Sequence, residues 1–301
     1  MTIQLLCVGE AMAELRQEAA GFAVGFAGDS FNTAIYCSRV LKRPGAVSYL
    51  TRIGEDPLSQ GFLQLARAEG LDVTAIGRDP AHNIGIYAVQ TDQAGERSFY
   101  YWRADSAARR LFQADDDFAA LGRCRILYFS AITLAILPAP VRARFLDRVA
   151  ELRRTYEITV AFDSNYRPRL WENAETAREV IHRAWCLADI ALPSIEDEMA
   201  LFGEVNEDAI LARLRRCGCR QGALKRAAAG PLALESIGGT LPYFAPADQV
   251  VDSTAAGDSF NGAYLAGLIS GADTLTCLSW GHEMARQVVA KPGAIVDVHC
   301  P

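Results

Sequence analysis

Residues 250–260 read Val250-Val251-Asp252-Ser253-Thr254-Ala255-Ala256-Gly257-Asp258-Ser259-Phe260. A β-like pair runs into a turn of small residues, and the turn opens an apolar helix expected over 257–269. Small residues let backbone N–H groups converge on an anion, and the helix N-terminus adds partial positive charge. Asp258, in the first turn, would face that anion. A carboxylate beside a phosphate costs energy unless it has a task, such as accepting a proton from an attacking hydroxyl. Spacing alone leaves a plainer reading equally open, in which Asp258 only complements the helix dipole.

Outward from this segment the chain alternates. The apolar run 4–8 ends at Gly9 and reads as a buried strand. Asp29-Ser30 precedes Phe31, Ala34 and Ile35 at helical spacing, and either residue is expected to cap a helix. Residues 46–53 read as a strand, and Asp56-Pro57 as a cap followed by proline at the first helical position. From Arg125 onward, strands expected at 126–130, 158–163, 190–193 and 222–225 alternate with helices at 140–153, 174–187, 207–217, 257–269 and 274–289. This predicts a mostly parallel sheet covered on both faces, with ligands at the carboxyl ends of its strands. Two β-rich segments, 84–91 and 98–103, flank the turn residues Asp92-Gln93-Ala94-Gly95. With 12–15 and 22–26 they are expected to form a separate small sheet. No internal repeat, long linker or low-complexity tract is evident. Residues 1–301 are therefore read as one domain, with the small sheet drawn from about 12–26 and 84–103.

Half of the 301 residues are hydrophobic and 22% are charged, ample for one large core. A net charge of −6, with no basic run beyond pairs such as Arg109-Arg110, argues against a nucleic-acid partner. No apolar stretch is long enough to cross a bilayer, and the N-terminus lacks the basic lead and cleavage site of a signal peptide. A cytoplasmic location is expected. The 8 cysteines form no CxxC pair. Cys217 and Cys219 are poorly spaced for zinc, and His82, His182, His282 and His299 are scattered, so no zinc site is expected. Most of the cysteines, Cys7 and Cys37 among them, read as buried apolar residues in a reducing compartment. Neither a P-loop nor a dinucleotide-binding glycine fingerprint is present.

Asp252-Ser253-Thr254-Ala255-Ala256-Gly257-Asp258 resembles the D-T-x-G-A-G-D signature of the ribokinase/PfkB-type carbohydrate kinases, in which the last Asp is the base. Ala27-Gly28-Asp29-Ser30-Phe31-Asn32-Thr33-Ala34 is similar to the family's G-G-x-x-x-N-x-A. Asp163-Ser164-Asn165-Tyr166-Arg167 is similar to its D-x-N-x-R, and Lys225-Arg226 to a basic pair that ends a strand. All stand in family order across essentially the whole chain. The resemblance implies a three-layer α/β/α sandwich with a mostly parallel central sheet and a small β-sheet lid. It also implies phosphoryl transfer from ATP with Mg2+, the N–H groups of Ala255, Ala256 and Gly257 surrounding the developing charge.

Within the family, Gly95-Glu96-Arg97-Ser98-Phe99-Tyr100-Tyr101-Trp102-Arg103 and Asn165-Tyr166-Arg167-Pro168-Arg169-Leu170-Trp171 look like the 2-keto-3-deoxygluconate kinases. On that likeness Gly28, Asp29 and Asn32 contact a sugar acid from the core, and Tyr87, Tyr101 and Arg103 contact it from the lid. Arg103 and Arg167 are candidate partners for its carboxylate. Asn165, Arg167, Lys225, Arg226, Gly230, Ala255 and Gly257 are expected on the nucleotide side, although Lys225 reads nearly as well as a solvated strand end. Asp197 and Glu198 are expected near magnesium. The sequence departs from the family at Ala27, Ala227 and Ala255, where glycine is usual, and at Ser194, where asparagine is usual. Alanine does not readily take positive φ, so the nucleotide loop is expected to be shaped differently. A fructokinase- or nucleoside-kinase-like enzyme of the same family, and a non-catalytic sugar-acid-binding protein, are the alternatives. An exposed lid edge makes a homo-oligomer a further expectation.

Overall fold

Strand β1 (Ile3–Val8) shows no polar alternation because both of its faces are covered. Leu5 and Cys7 enter one apolar core, while Leu6 and Val8 enter the other. The computed structural model of the chain describes residues 3–18, 21–91, 97–113, 115–156, 158–235 and 242–300. Within them, β1 is flanked in parallel by β4 (Val47–Ile53) and β8 (Cys124–Ser130). The sheet continues through β5 (Ile76–Arg78) beyond β4. On the other side it continues through β9 (Thr159–Asp163), β10 (Ile190–Ala191), β11 (Gln221–Leu224) and β12 (Leu232–Ala233). The order is β12-β11-β10-β9-β8-β1-β4-β5, parallel except for the β11–β12 pair.

Helices α1 (Asp29–Leu41), α2 (Pro57–Ala68), α9 (Ala256–Ile269) and α10 (Thr274–Val289) supply one core, with Phe31, Tyr36, Phe62 and Tyr264 at its centre. Helices α4 (Ala131–Ile136), α5 (Ala139–Tyr156), α6 (Ala174–Leu187), α7 (Ile195–Phe202) and α8 (Glu207–Cys217) supply the other, around Phe129, Phe145, Phe162 and Trp185. Short α3 (Asp115–Ala120) precedes β8. Residues 259–267 of α9 are buried without a break, as befits a helix enclosed on all sides. It approaches α1 so closely that a Cβ on Gly262 would lie 2.7 Å from the Thr33 carbonyl.

A second sheet, ordered β3-β2-β6-β7, is built from β2 (Met12–Glu18), β3 (Gly21–Ala27), β6 (Gly85–Thr91) and β7 (Arg97–Trp102). The expected turn at Asp92-Gln93-Ala94-Gly95 lies outside the described residues. Met12, Ala27, Tyr87 and Val89 of this sheet pack with Ala294 and against Ala255 at the entrance of α9. Glu14, Val89, Phe99, Asp252, Thr254 and Gly293 line a cleft between the second sheet and the loops of the core.

Three local expectations are corrected. Asp29 and Ser30 do not cap α1: Gly28 occupies that position, and both side chains are drawn to partners in the core. Val250 and Val251 belong to neither sheet, and both side chains are exposed. Asn165, Ala227 and Ala255 all take positive φ, at 22°, 46° and 61°. The alanines therefore keep the left-handed backbone that glycine would favour, at a cost of roughly 1–2 kcal/mol each. Asp56 does cap α2, accepting from Ser59 N–H at 3.0 Å.

Gly222 in β11 has φ 134°, and a Cβ there would lie 1.8 Å from the Ala191 carbonyl oxygen of β10. Gly222→Ala is expected to destabilise the chain by about 3 kcal/mol or more, read as a lower denaturant midpoint at unchanged slope.

Candidate active site

The hexapeptide Ala-Gly-Asp-Ser-Phe-Asn occurs twice, as residues 27–32 and as residues 256–261. Each copy opens a helix, and the two helices, α1 and α9, pack together. Although no repeat was evident in the sequence at domain scale, this short one builds the site. The third participant is Asp163-Ser164-Asn165, at the carboxyl end of β9.

Each segment offers one carboxylate and one amide, and they exchange in a ring. The Asn32 amide donates to Asp258 at 2.8 Å. The Asn261 amide donates to Asp163 at 2.6 Å, and the Asn165 amide donates to Asp29 at 3.0 Å. Asp29 also accepts from the Ser130 hydroxyl, and Asn32 accepts from Gly28 N–H at 3.4 Å. A Cβ on Gly28 would sit 2.2 Å from the Glu10 carbonyl, so glycine is required there by close approach.

Lys225 lies inside this assembly. Its ammonium donates to Asp163 at 2.8 Å and to Asn261 at 3.1 Å, and it sits 3.5 Å from where a Gly257 Cβ would be. It is therefore not a solvated strand end. Burial pushes the Asp258 carboxyl up to about 7; the Asp29 and Asp163 charges push the same way, while the Asn32 hydrogen bond and Lys225 oppose it. Burial likewise raises Asp29. Asp258 is half-buried as a residue, in contrast to Asp29 and Asp163, which are buried.

The entrance of α9 has no side-chain cap, because Ala255 has none to offer. Ala256 N–H points back to the Ser253 carbonyl at 3.3 Å, while helix geometry leaves the other first-turn N–H groups without intrahelical partners. Next to Lys225, Arg226 donates to the Gly230 carbonyl at 3.0 Å and to Glu207 at 2.7 Å. It shapes the loop through Gly230 instead of projecting from it.

On the second sheet, the Tyr87 hydroxyl donates to Glu14, and burial raises its pKa. Tyr101 stacks on Tyr87 at 5.9 Å and is 54% exposed, which leaves its ring face available. Arg103 is paired with buried Glu10, which also accepts from the Ser106 hydroxyl. Its Nε is buried without a partner among the described residues. Arg167 is freer: its side chain is 55% exposed, 3.7 Å from Asp197. Asp197 accepts from Tyr166 N–H at 3.1 Å, and burial raises its pKa. Glu198 is enclosed in an ion pair with Arg213, which also holds Glu204 at 2.7 Å, so it faces protein and not the cleft.

The structure thus brings Gly28, Asp29, Asn32, Asn165, Lys225, Gly257 and Asp258 together, and leaves Arg226, Gly230 and Glu198 in supporting roles. Asp163 and Asn261 were missed by the sequence reading, although the repeated hexapeptide signals the second of them.

A parallel sheet covered by helices, with a buried acid at a helix N-terminus beside its carboxyl ends, describes an ATP-dependent carbohydrate kinase. The chain matches the pfkB family of carbohydrate kinases over residues 2–299 and belongs to that family. It is 38% identical to 2-dehydro-3-deoxygluconokinase of Dickeya dadantii (strain 3937), over 99% of this chain and 98% of that one. It is 35% identical to the protein of the same name from Escherichia coli (strain K12), over 98% of each. Among solved structures, the PfkB protein from Polaromonas sp. JS666 superposes with a TM-score of 0.83 at 25% identity, covering 96% of both chains. Among the described residues no helix is long and apolar enough to cross a membrane.

Lys225→Met removes a cation that lowers Asp258 and leaves Asp163 unpaired, and both changes push one way. An NMR titration of the carboxyl carbon of Asp258 is expected to move upward from about 7. Folded Asp258 also binds its proton more tightly than an unfolded Asp at 3.8, so its ionisation erodes stability as pH rises from 3.8 through about 7. Asp258→Asn is expected to gain stability relative to the parent between about pH 5 and about pH 8, checked by thermal melts at both values.

Proposed function

We propose that the protein phosphorylates 2-keto-3-deoxygluconate (2-dehydro-3-deoxygluconate) at its 6-hydroxyl, giving the 6-phosphate and ADP. The observation that carries this reading is Asp258: a carboxyl near pKa 7, oriented by Asn32, in the first turn of α9. A base poised near neutrality is suited to take a proton from a sugar hydroxyl. The names of the relatives at 34–38% identity support the choice of sugar acid.

The hydroxyl oxygen attacks the γ-phosphorus in line, the bond from that phosphorus to the bridging oxygen breaks, and Asp258 receives the hydroxyl proton. First-turn N–H groups of α9 face the transferring group, and Lys225 beneath Gly257 adds positive potential. Arg167 has the spare capacity to meet the sugar-acid carboxylate, with Tyr101 above the sugar and Gly28, Asp29 and Asn32 shaping its floor. The second sheet acts as a lid that excludes water, and residues 1–301 work as one kinase domain. Of the two carboxylates expected near magnesium, Asp197 fits a hard oxygen-seeking cation, whereas Glu198 is committed to Arg213. Mg2+ held with the nucleotide would neutralise phosphate charge.

One observation favours a neutral-sugar kinase as the second reading. Glu10 already matches the charge of Arg103, so that arginine does not require an acidic substrate. ATP consumption by the purified protein with Mg2+, on 2-keto-3-deoxygluconate, fructose, ribose and adenosine, separates the two. Turnover confined to the sugar acid is expected, whereas turnover on fructose alone sinks the carboxylate assignment. Arg167→Ala is expected to raise the KM for the sugar acid about tenfold or more with a smaller effect on kcat. Asp258→Asn is expected to lower kcat by about a hundredfold or more while sugar binding persists.

A further inference from the structure

Outside the site described above, three potential metal ligands meet on the outer surface. His182 and Cys186 stand one turn apart on α6, and Cys217 is the last residue of α8. The Cys186 sulfur lies 3.8 Å from His182 Nε2, and the Cys217 sulfur lies 3.6 Å from His182 Nδ1. Donor atoms from all three fall within 4.8 Å of one another. In a tetrahedral zinc site with bonds of about 2.0–2.3 Å, neighbouring N and S ligands stand about 3.6 Å apart. Each separation is close to one edge of a zinc tetrahedron, but the two sulfurs face opposite ring nitrogens. His182 must therefore turn to aim a single nitrogen between them, and the donors must close from within 4.8 Å of one another.

We propose that His182, Cys186 and Cys217 form a binding site for Zn2+ that clamps α6 to α8. Two thiol protons leave to solvent as the thiolates bind, so the metal and its two anionic ligands are together neutral. Three protein ligands leave a fourth position for water or an external donor. Both helices also end beside the cluster, since α6 stops at Leu187 and α8 at Cys217. Their C-terminal carbonyls supply partial negative charge that favours a cation. Of the two arginines whose charge reaches Cys217, Arg213 is held by Glu198 and Glu204, whereas Arg216 opposes the cation and favours the thiolate.

The cluster escaped the sequence reading because that reading weighed Cys217 against Cys219. Cys219 is in fact buried, with its thiol donating to the Trp185 carbonyl at 3.2 Å. Cys186 is exposed and Cys217 and His182 are accessible, so the site can be loaded and its variants are expected to fold.

The test uses the full-length protein, stripped with a chelator under reducing conditions and titrated with Zn2+ against a chromophoric competitor. One equivalent is expected to bind, and Cys186→Ser, Cys217→Ser and His182→Gln are each expected to weaken it at least tenfold. Co2+ in place of Zn2+ should give a thiolate-to-metal charge-transfer band that the double variant Cys186→Ser/Cys217→Ser lacks. Cys300→Ser should leave both readouts unchanged. Zn2+ is expected to raise the melting temperature of the parent but not of the double variant. Equal Zn2+ affinity in parent and double variant overturns the proposal. So does closure of a Cys186–Cys217 disulfide in air by a protein that gains no stability from Zn2+ when reduced.

Discussion

Everything in the site depends on a closed exchange of hydrogen bonds among three buried Asp/Asn pairs. Asp29 takes its amide from Asn165, Asp163 takes its own from Asn261, and Asp258 takes its own from Asn32. Each segment needs the other two. A buried carboxylate without a donor is expensive, and a neutral amide satisfies it without adding charge. The ring joins α1, the end of β9 and α9, elements separated by up to 226 residues. It thereby couples the folding of the sheet to the placement of one acid. Lys225 enters as the cation that lets Asp163 stay beside the other two acids.

The same arrangement explains how an acid can stand at an anion-binding helix start. A helix N-terminus ordinarily favours the ionised carboxylate. Here burial and the fields of Asp29 and Asp163 act the other way and leave Asp258 near 7. The left-handed alanines belong to this balance. Ala255 holds φ 61°, and it packs against the second-sheet cluster of Met12, Tyr87 and Val89. Burying a methyl is worth roughly 0.8 kcal/mol, which offsets much of the backbone strain. The loop keeps the glycine-like path while gaining an apolar contact that glycine could not make.

The alternation of apolar strands and helices was legible because covered parallel strands and amphipathic helices leave different periods in sequence. The bounds of the longer elements lie close to those expected, and 12–26 and 84–103 do supply the strands of the second sheet. What stayed hidden were the short helices α3, α4 and α7, and elements of two or three residues, β5, β10 in its true length and β12, which pairing alone defines. Hidden too were partnerships across the chain. Lys225 reads alike as a solvated strand end or a ligand until Asp163 is seen against it, and Glu198 reads as a metal ligand until Arg213 closes over it. The repeated hexapeptide was visible in principle, but its meaning is geometric: the first copy places glycine at the cap, whereas the second places it inside the helix.

Charge arithmetic frames how an acidic substrate could be accepted. Asp29, Asp163, Asp197 and Asp258 feel one another's charge, and burial raises the pKa of Asp29, Asp197 and Asp258. Lys225 is occupied by Asp163, and Arg103 by Glu10. An incoming carboxylate would therefore either find Arg167, whose side chain is exposed and whose link to the mostly buried Asp197 is long, or displace Glu10 from Arg103. The first route breaks no short ion pair. The second would strand Glu10, which is 1% exposed, with only the Ser106 hydroxyl, and an unpaired buried charge costs several kcal/mol. On the proposed function, recognition of the sugar acid would therefore fall to Arg167, with Arg103 and Glu10 shaping the pocket wall while their charges cancel.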